Sequence, residues 1–423
     1  MAVKNIIQAE WKKSIRTSPG ILFLFLIFSL GGCQGLPQAL LAPQEPKLVL
    51  TPVSFDAVSR WSMERHGEAL SPFLDSCAKY AKTDKEKPFF GAANDSAKLF
   101  GTFSDWQEPC RAAAAVDKND HVAARAFFEK WFHPYLATNN GEEEGLFTGY
   151  YEPELKGSRK RSSRYHVPLY GRPKNLVHVD LGRFREEWRG RRLAGKLLGT
   201  TLVPYETRAD INGGALEEKA PELLYVDDPV GAFFLHVQGS GRILLEDGKS
   251  VRVAYAGVNG HEYVSIGAEL IARGEISRED MSLQALRAWL EKHPDQAQRL
   301  LEKNPSYVFF KESPIKDAAK GPPGAQGVAL TPLRSLAVDR AFLPLGIPLW
   351  LETSQPGNEA ARDKPLSGLM IAQDTGGAIK GPVRGDIFFG FGPKAEASAG
   401  VMKSRGRYFL LLPRRANPAG GGP

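Results

Sequence analysis

Leu369-Met370-Ile371-Ala372-Gln373-Asp374-Thr375-Gly376-Gly377-Ala378-Ile379-Lys380-Gly381-Pro382-Val383-Arg384-Gly385-Asp386-Ile387-Phe388-Phe389-Gly390-Phe391-Gly392 decides how this chain reads. It holds two apolar runs, each of which carries or meets an aspartate, Asp374 or Asp386. Such runs, bounded by Gly and Pro, predict strands, yet Asp is depleted in strands. Acids beside Gly376-Gly377 and Gly390-Phe391-Gly392 therefore mark bends where carboxylates point into a shared space. A third acid, Asp339, stands at the mouth of the apolar run Ser335-Leu336-Ala337-Val338.

Outward from this stretch, the chain divides by pattern. Phe55 to His66, Leu70 to Tyr80 and His121 to Phe132 carry apolar residues at helical spacing, so residues 52–152 begin as a helical region. From Leu146 the pattern turns to short β-branched and aromatic runs between Gly and Pro. Leu223 to Val226, Gly231 to Val237, Gly241 to Leu245 and Ser250 to Val258 predict antiparallel strands of a barrel. A helical block interrupts them at Ser265 to Arg273, Ser282 to Lys292 and Asp295 to Lys303, with Ser282 and Asp295 as N-caps. The Gly/Pro-rich segment Lys320 to Gly327 is a linker, and residues 414–423 are expected to be a disordered tail.

The N-terminus carries its own signal. Lys4, Lys12, Lys13 and Arg16 precede the apolar run Ile21 to Leu30. That run is too short to span a bilayer but suits the apolar core of an export signal over residues 1–32. Leu30-Gly31-Gly32-Cys33 looks like a bacterial lipobox, in which Cys33 is acylated and anchors the chain to a membrane surface. Residue 34 is Gln rather than the Asp associated with inner-membrane retention, which favours a periplasmic protein on the outer membrane. Residues 33–51 then serve as a Pro- and Gln-rich tether.

Without Cys33, an even pair remains in an oxidising compartment, Cys77 and Cys110. A disulfide is expected, with two buried thiols as the alternative. Lys and Arg number 55 against 48 Asp and Glu, and this excess of +7 allows a polyanionic partner. Nucleic acid is excluded for an exported chain whose basic clusters, Lys156 to Arg164 and Arg183 to Arg192, lack interleaved stacking aromatics. The eight histidines show no HExxH or i, i+4 pairing, so no metal or other cofactor is called for.

The three aspartate stretches resemble the 3D domain, named for its three aspartates. Phe147-Thr148-Gly149-Tyr150-Tyr151-Glu152-Pro153, Leu169-Tyr170-Gly171-Arg172-Pro173, His236-Val237-Gln238-Gly239-Ser240-Gly241, Tyr255-Ala256-Gly257-Val258-Asn259-Gly260 and Asn304-Pro305-Ser306-Tyr307-Val308-Phe309-Phe310 carry the resemblance further. In order and content they resemble the membrane-bound lytic murein transglycosylase A (MltA) family, over most of residues 145–395. The resemblance implies a mainly β protein with a helical N-terminal region (α+β). It implies a double-psi β-barrel completed by a 3D domain at 321–413, a second β-barrel inserted at 153–320, and a groove between them.

It also implies a chemistry. Glycosidic cleavage needs an acid on the leaving oxygen, and ordinary glycosidases add a second carboxylate. A lytic transglycosylase manages with one, because the C6 hydroxyl of the N-acetylmuramic acid being cut attacks in place of water and gives a 1,6-anhydro sugar. The resemblance makes Asp386 that acid and base, with Asp374 as a neighbour that tunes or orients it, and Asp339 as a third acid. Asp386 must hold a proton, which burial or a nearby negative charge favours. By that resemblance the spacing from Asp374 to Asp386 is one residue longer than in the best-known member, so the loop Gly381 to Gly385 is expected to differ. Thr148, Tyr150, Tyr151, Gln238, Gly239, Ser240 and Lys380 are the candidate substrate contacts. Strand alternation sends one tyrosine to a sugar and the other to the core. The partners implied are peptidoglycan strands, outer-membrane lipid and, as candidates, murein synthases; a monomer is expected.

Competing readings rest on shorter motifs. Asp374-Thr375-Gly376 matches the aspartic-protease triplet but stands alone in the chain, and the SxxK matches at Ser76 and Ser313 lack a KTG partner. A non-catalytic murein-binding envelope lipoprotein is the alternative within the same family resemblance.

Overall fold

The computed structural model describes residues 45–91, 95–185, 188, 192–357 and 363–414. The export signal, Cys33, the first part of the tether and tail residues 415–423 lie outside the described residues. The tether ends sooner than expected, because Leu48–Pro52 forms strand β1.

Three helices follow: α1 (Gly67–Tyr80), α2 (Phe103–Ala113) and α3 (His121–Trp131). Thr102 and Asp105 form a capping box at the start of α2, and Asp120 accepts the Ala123 N–H at the start of α3. Their inner faces bury Phe73, Trp106 and Phe128. Cys77 and Cys110 are bonded to each other, tying α1 to α2. The helix expected over Phe55 to His66 is instead two 3-10 turns, Phe55–Ala57 and Trp61–Met63. Arg60 between them takes a left-handed backbone with φ 60°, which ends one turn and drops Trp61 into the core.

After β2 (Phe132–Asn139) and β3 (Gly145–Glu152) the chain runs through β4 (Glu154–Ser158), β5 (Val167–Tyr170), β6 (Val177–Asp180), β7 (Arg192–Leu198) and β8 (Thr201–Val203). Next come α4 (Arg208–Asn212), β9 (Glu222–Val226), α5 (Pro229–Gln238), β10 (Ser240–Leu245), β11 (Ser250–Val258), α6 (Ile266–Ala272), α7 (Leu283–Lys292), α8 (Pro294–Glu302) and β12 (Val308–Ser313). It ends with β13 (Ser335–Val338), β14 (Pro348–Gln355), β15 (Lys364–Asp374), β16 (Arg384–Phe391), α9 (Gly392–Val401) and β17 (Lys403–Pro413).

Two closed sheets result. In the first, β17, β14, β15, β13, β16 and β3 pair in that order and β3 pairs back to β17, while β2 and β1 extend from β17. The β13/β15 and β16/β3 pairs are parallel and the others in the ring antiparallel. The second has the order β12-β11-β10-β4-β9-β5, and a bridge between Gly171 and Phe310 joins its edges. A small sheet, β6-β7-β8, stands apart.

The run Gly231 to Val237, expected as a strand, is the helix α5. An all-apolar run does not distinguish a buried strand from a buried helix. Here Pro229 opens the helix and Gly239, at φ 78°, closes it, while Gly231 to Val237 are buried all round. Ser282 caps α7 through the Ala285 N–H, but α8 begins at Pro294 with no side-chain cap, not at Asp295.

One charge cluster joins the two closed sheets. Glu152, fully buried at the end of β3, accepts from Arg242 Nε at 2.9 Å and Arg252 Nε at 2.5 Å. The same arginines donate to the Lys320 carbonyl, and Arg242 also bonds the Ala318 carbonyl and lies 3.4 Å from the Phe391 ring centroid. Buried charges persist only when paired and hydrogen-bonded, so this cluster fixes how the segment before β13 returns against β10 and β11.

Candidate active site

Register explains why the acid and its partner meet. Asp386 on β16 pairs directly with Thr148 on β3, and directly paired residues project to the same face. Thr148 Oγ1 donates to Asp386 Oδ1 at 2.7 Å. Arg384, two residues before Asp386 and so on the same face, donates Nη2 to Thr148 Oγ1 at 2.8 Å and Nη1 to the Leu146 carbonyl at 3.1 Å. Burial lowers the Arg384 guanidinium below its ordinary value, and the Asp386 charge opposes that shift. Asp386 itself is only 3% exposed.

Tyr150 follows Thr148 on the same face, its ring 5.2 Å from that of Phe388. Its hydroxyl donates to Asp374 Oδ2 at 2.8 Å, and Asp374 Oδ1 accepts from the Ala325 N–H at 2.9 Å. Burial first, then the Asp374 charge, pushes the Tyr150 phenol well above its ordinary range, so it remains a donor. Asp339 takes another role. Its carboxylate accepts from the Ala341 N–H at 3.0 Å and the Gly381 N–H at 2.8 Å, while Thr375 donates to the Val338 carbonyl. Together they pin both ends of the loop Thr375–Gly381 against β13. Tyr408 holds the Pro382 carbonyl just beyond it.

The opposite wall comes from α5 and β10. Gln238, Gly239 and Ser240 form the exit of α5 into β10, and Gln238 Oε1 is buried with no hydrogen-bond partner. A cleft of about 860 Å³ runs past Thr148, Tyr151, Gln238, Met281, Lys380 and Asp386. A second of about 310 Å³ adjoins it at Tyr150, Tyr151, Gln238 and Gly377, and reaches Gly239, Ser240 and Asp374. All the candidate substrate contacts thus line one continuous groove, and Asp339 lies behind it. Lys380 is exposed on its rim.

Two expectations change. The tyrosines do not divide between sugar and core: Tyr150 is 5% exposed and Tyr151 2%, so neither offers an open ring face. His236, expected on a strand beside Gln238, sits inside α5 and takes a hydrogen bond from Arg208 Nη1 on Nδ1 at 2.9 Å. Burial and then the Arg208 charge lower it well below its usual range, so it is a neutral core residue away from substrate. Sequence reading passed over Arg384. The signal was there, since alternation from Asp386 puts residue 384 on the acid's own face. Among the described residues, no group of three or more His, Cys, Asp and Glu is arranged to hold a metal ion.

Residues 146–311 match the family model for the MltA specific insert domain, and residues 334–412 that for the 3D domain. The membrane-bound lytic murein transglycosylase A of Vibrio cholerae is 37% identical over 280 residues, 64% of this chain and 67% of that protein. A monoclinic crystal form of MltA from Neisseria gonorrhoeae superposes with a TM-score of 0.73 at 36% identity, covering 88% of this chain and 94% of the other. E. coli MltA solved with bound chitohexaose gives 0.59 at 29% identity, covering 87% and 92%.

Proposed function

Because the chain belongs to the MltA family, we propose that it is a peptidoglycan lytic transglycosylase that cuts the β-1,4 bond between N-acetylmuramic acid and N-acetylglucosamine. The observation that carries this is one buried carboxylate, Asp386, on the wall of an 860 Å³ groove, with its Oδ1 held by Thr148. Asp386 gives its proton to the glycosidic oxygen and then takes one from the C6 hydroxyl, which closes the 1,6-anhydro ring. The Thr148 hydroxyl, on Oδ1, orients the carboxyl that carries the transferred proton. Asp374 is engaged by Tyr150 and a backbone amide, which supports an orienting role rather than a nucleophilic one. Asp339, engaged by two backbone amides, shapes the loop.

Gln238 lines the groove, and its carboxamide group suits the amide of an N-acetyl group. That E. coli MltA has been solved with chitohexaose supports a glycan in the corresponding groove. The parallel pairs in the first closed sheet support a double-psi barrel, and the placement of β4–β12 between β3 and β13 supports a barrel inserted at about residues 153–320. Acylation at Cys33 on the periplasmic side of the outer membrane, and a monomer that works beside murein synthases, complete the reading. No described helix is long and apolar enough to cross a membrane.

Mass spectrometry of murein digested by the purified protein tests it. Anhydro-muropeptides that vanish with Asp386→Asn are expected. Reducing ends would make the protein a hydrolase, and an absence of products would leave a murein-binding protein.

A further inference from the structure

We propose that the small sheet β6-β7-β8 is a docking surface for an anionic phospholipid bilayer, separate from the groove. Among the described residues, four of the twelve exposed large hydrophobics fall in one short stretch: Phe184 at 71%, Leu193 at 52%, Leu197 at 59% and Leu198 at 71%. The register gathers part of this set on one face. Leu193 and Leu197 lie on the same side of β7, Val179 pairs with Leu193, and Leu202 pairs with Leu197 across the turn at Gly199. Gly195 between them brings no side chain, because a Cβ there would strike the Val203 carbonyl. The sheet is held in place: His178 Nε2 lies 3.2 Å from the Val258 carbonyl, and Gly260 packs directly on Ala194.

Charge selects the occupant. The described residues between 172 and 205 include six Lys and Arg, namely Arg172, Lys174, Arg183, Arg185, Arg192 and Lys196, against one acid, Asp180, a net +5 beside the chain's +7. The acids within reach are already used or few: Glu206 pairs with Lys196, and Asp180 lies opposite Arg192. A second copy would bring the same positive charge to the apolar face and be repelled. A bilayer carrying anionic lipid supplies negative charge around an apolar interior, and exposed leucines on a stretch of net positive charge match both layers. None of these residues lines the groove. The surface would seat the protein on the membrane whether or not Asp386 does the proposed chemistry.

The test uses the full chain reconstituted into vesicles of phosphatidylethanolamine with phosphatidylglycerol, or of phosphatidylcholine alone. An environment-sensitive fluorophore is placed on the thiol made by Leu197→Cys, or by Met63→Cys as a control at a 73% exposed site. Cys77 and Cys110 are bonded, and the parent chain treated alike sets the background. The label at 197 is expected to shift to the blue and be quenched by brominated lipid in anionic vesicles only, while the label at 63 stays unchanged. Arg183→Gln and Arg192→Gln are each expected to weaken that insertion about fivefold at low salt, as a loss of roughly 1 kcal/mol per basic residue requires. These surface changes leave the apolar face and fold intact. A label at 197 blind to lipid, or responding equally in neutral vesicles, overturns the proposal. So does a shift that appears in detergent alone as protein concentration rises, which would assign the face to a second copy.

Discussion

Thr148→Val is the sharpest perturbation of the proposed chemistry. Valine nearly matches threonine in volume and β-branching, so the packing of β3 against β16 should survive. What is lost is one hydroxyl with two jobs: it donates to Asp386 Oδ1 at 2.7 Å and accepts from Arg384 Nη2 at 2.8 Å. A hydrogen bond to a charged group contributes about 1.5–3 kcal/mol. At about 1.4 kcal/mol per factor of ten, kcat/KM should fall roughly tenfold to hundredfold. Thr148→Ser keeps the hydroxyl and should stay near the parent rate. The assay is the initial rate of anhydro-muropeptide release from purified murein, with circular dichroism melts to show that each variant folds. A Thr148→Val protein as fast as the parent, alongside an inactive Asp386→Asn, would refute the argument that this hydroxyl orients the acid.

Other expectations follow from the same geometry. Glu152→Ala leaves two buried arginines without their carboxylate and should cost about 3–5 kcal/mol, read as a drop in the urea midpoint. Asp339→Ala frees two backbone amides and should destabilise by about 1–3 kcal/mol, with a raised KM because the groove loop loosens while Asp386 is untouched. Replacing both Cys77 and Cys110 by Ala opens a loop with a separation of 33 residues and should cost about 3–4 kcal/mol, checked by thermal melts with and without reductant. His66, buried against Trp61, has its protonation lowered from 6.5 to about 4, chiefly by burial. The unfolded chain therefore binds this proton first on acidification, so stability should decline as pH falls from about 6.5 toward 4, and His66→Phe should flatten that part of the profile in urea titrations.

Much of the site was legible in sequence because short motifs carry it. Asp374 and Asp386 break the strand pattern that surrounds them, and Gln238-Gly239-Ser240 combines polar groups with a glycine; all five residues line the groove. Local propensity failed where tertiary context outweighed it. Gly231 to Val237 reads equally as strand or helix until it is known to be enclosed on every side, and Phe55 to His66 loses its helix to a left-handed Arg60 that sends Trp61 inward. The tyrosine pair was misjudged because alternation predicts which side a residue faces, not how thickly that side is covered.

By itself the sequence determined the cysteine pairing expected of an oxidised chain, the β character after Leu146 and the acids to inspect. These are properties of composition and of patterns a few residues long. Only the tertiary structure decided which group each of the three aspartates meets. Each contact depends on a partner brought from far along the chain: Thr148 for Asp386 and Tyr150 for Asp374, while the Gly381 amide for Asp339 comes from 42 residues away. Those distances are closed by strand register, and register is a property of the paired sheet that no single segment carries.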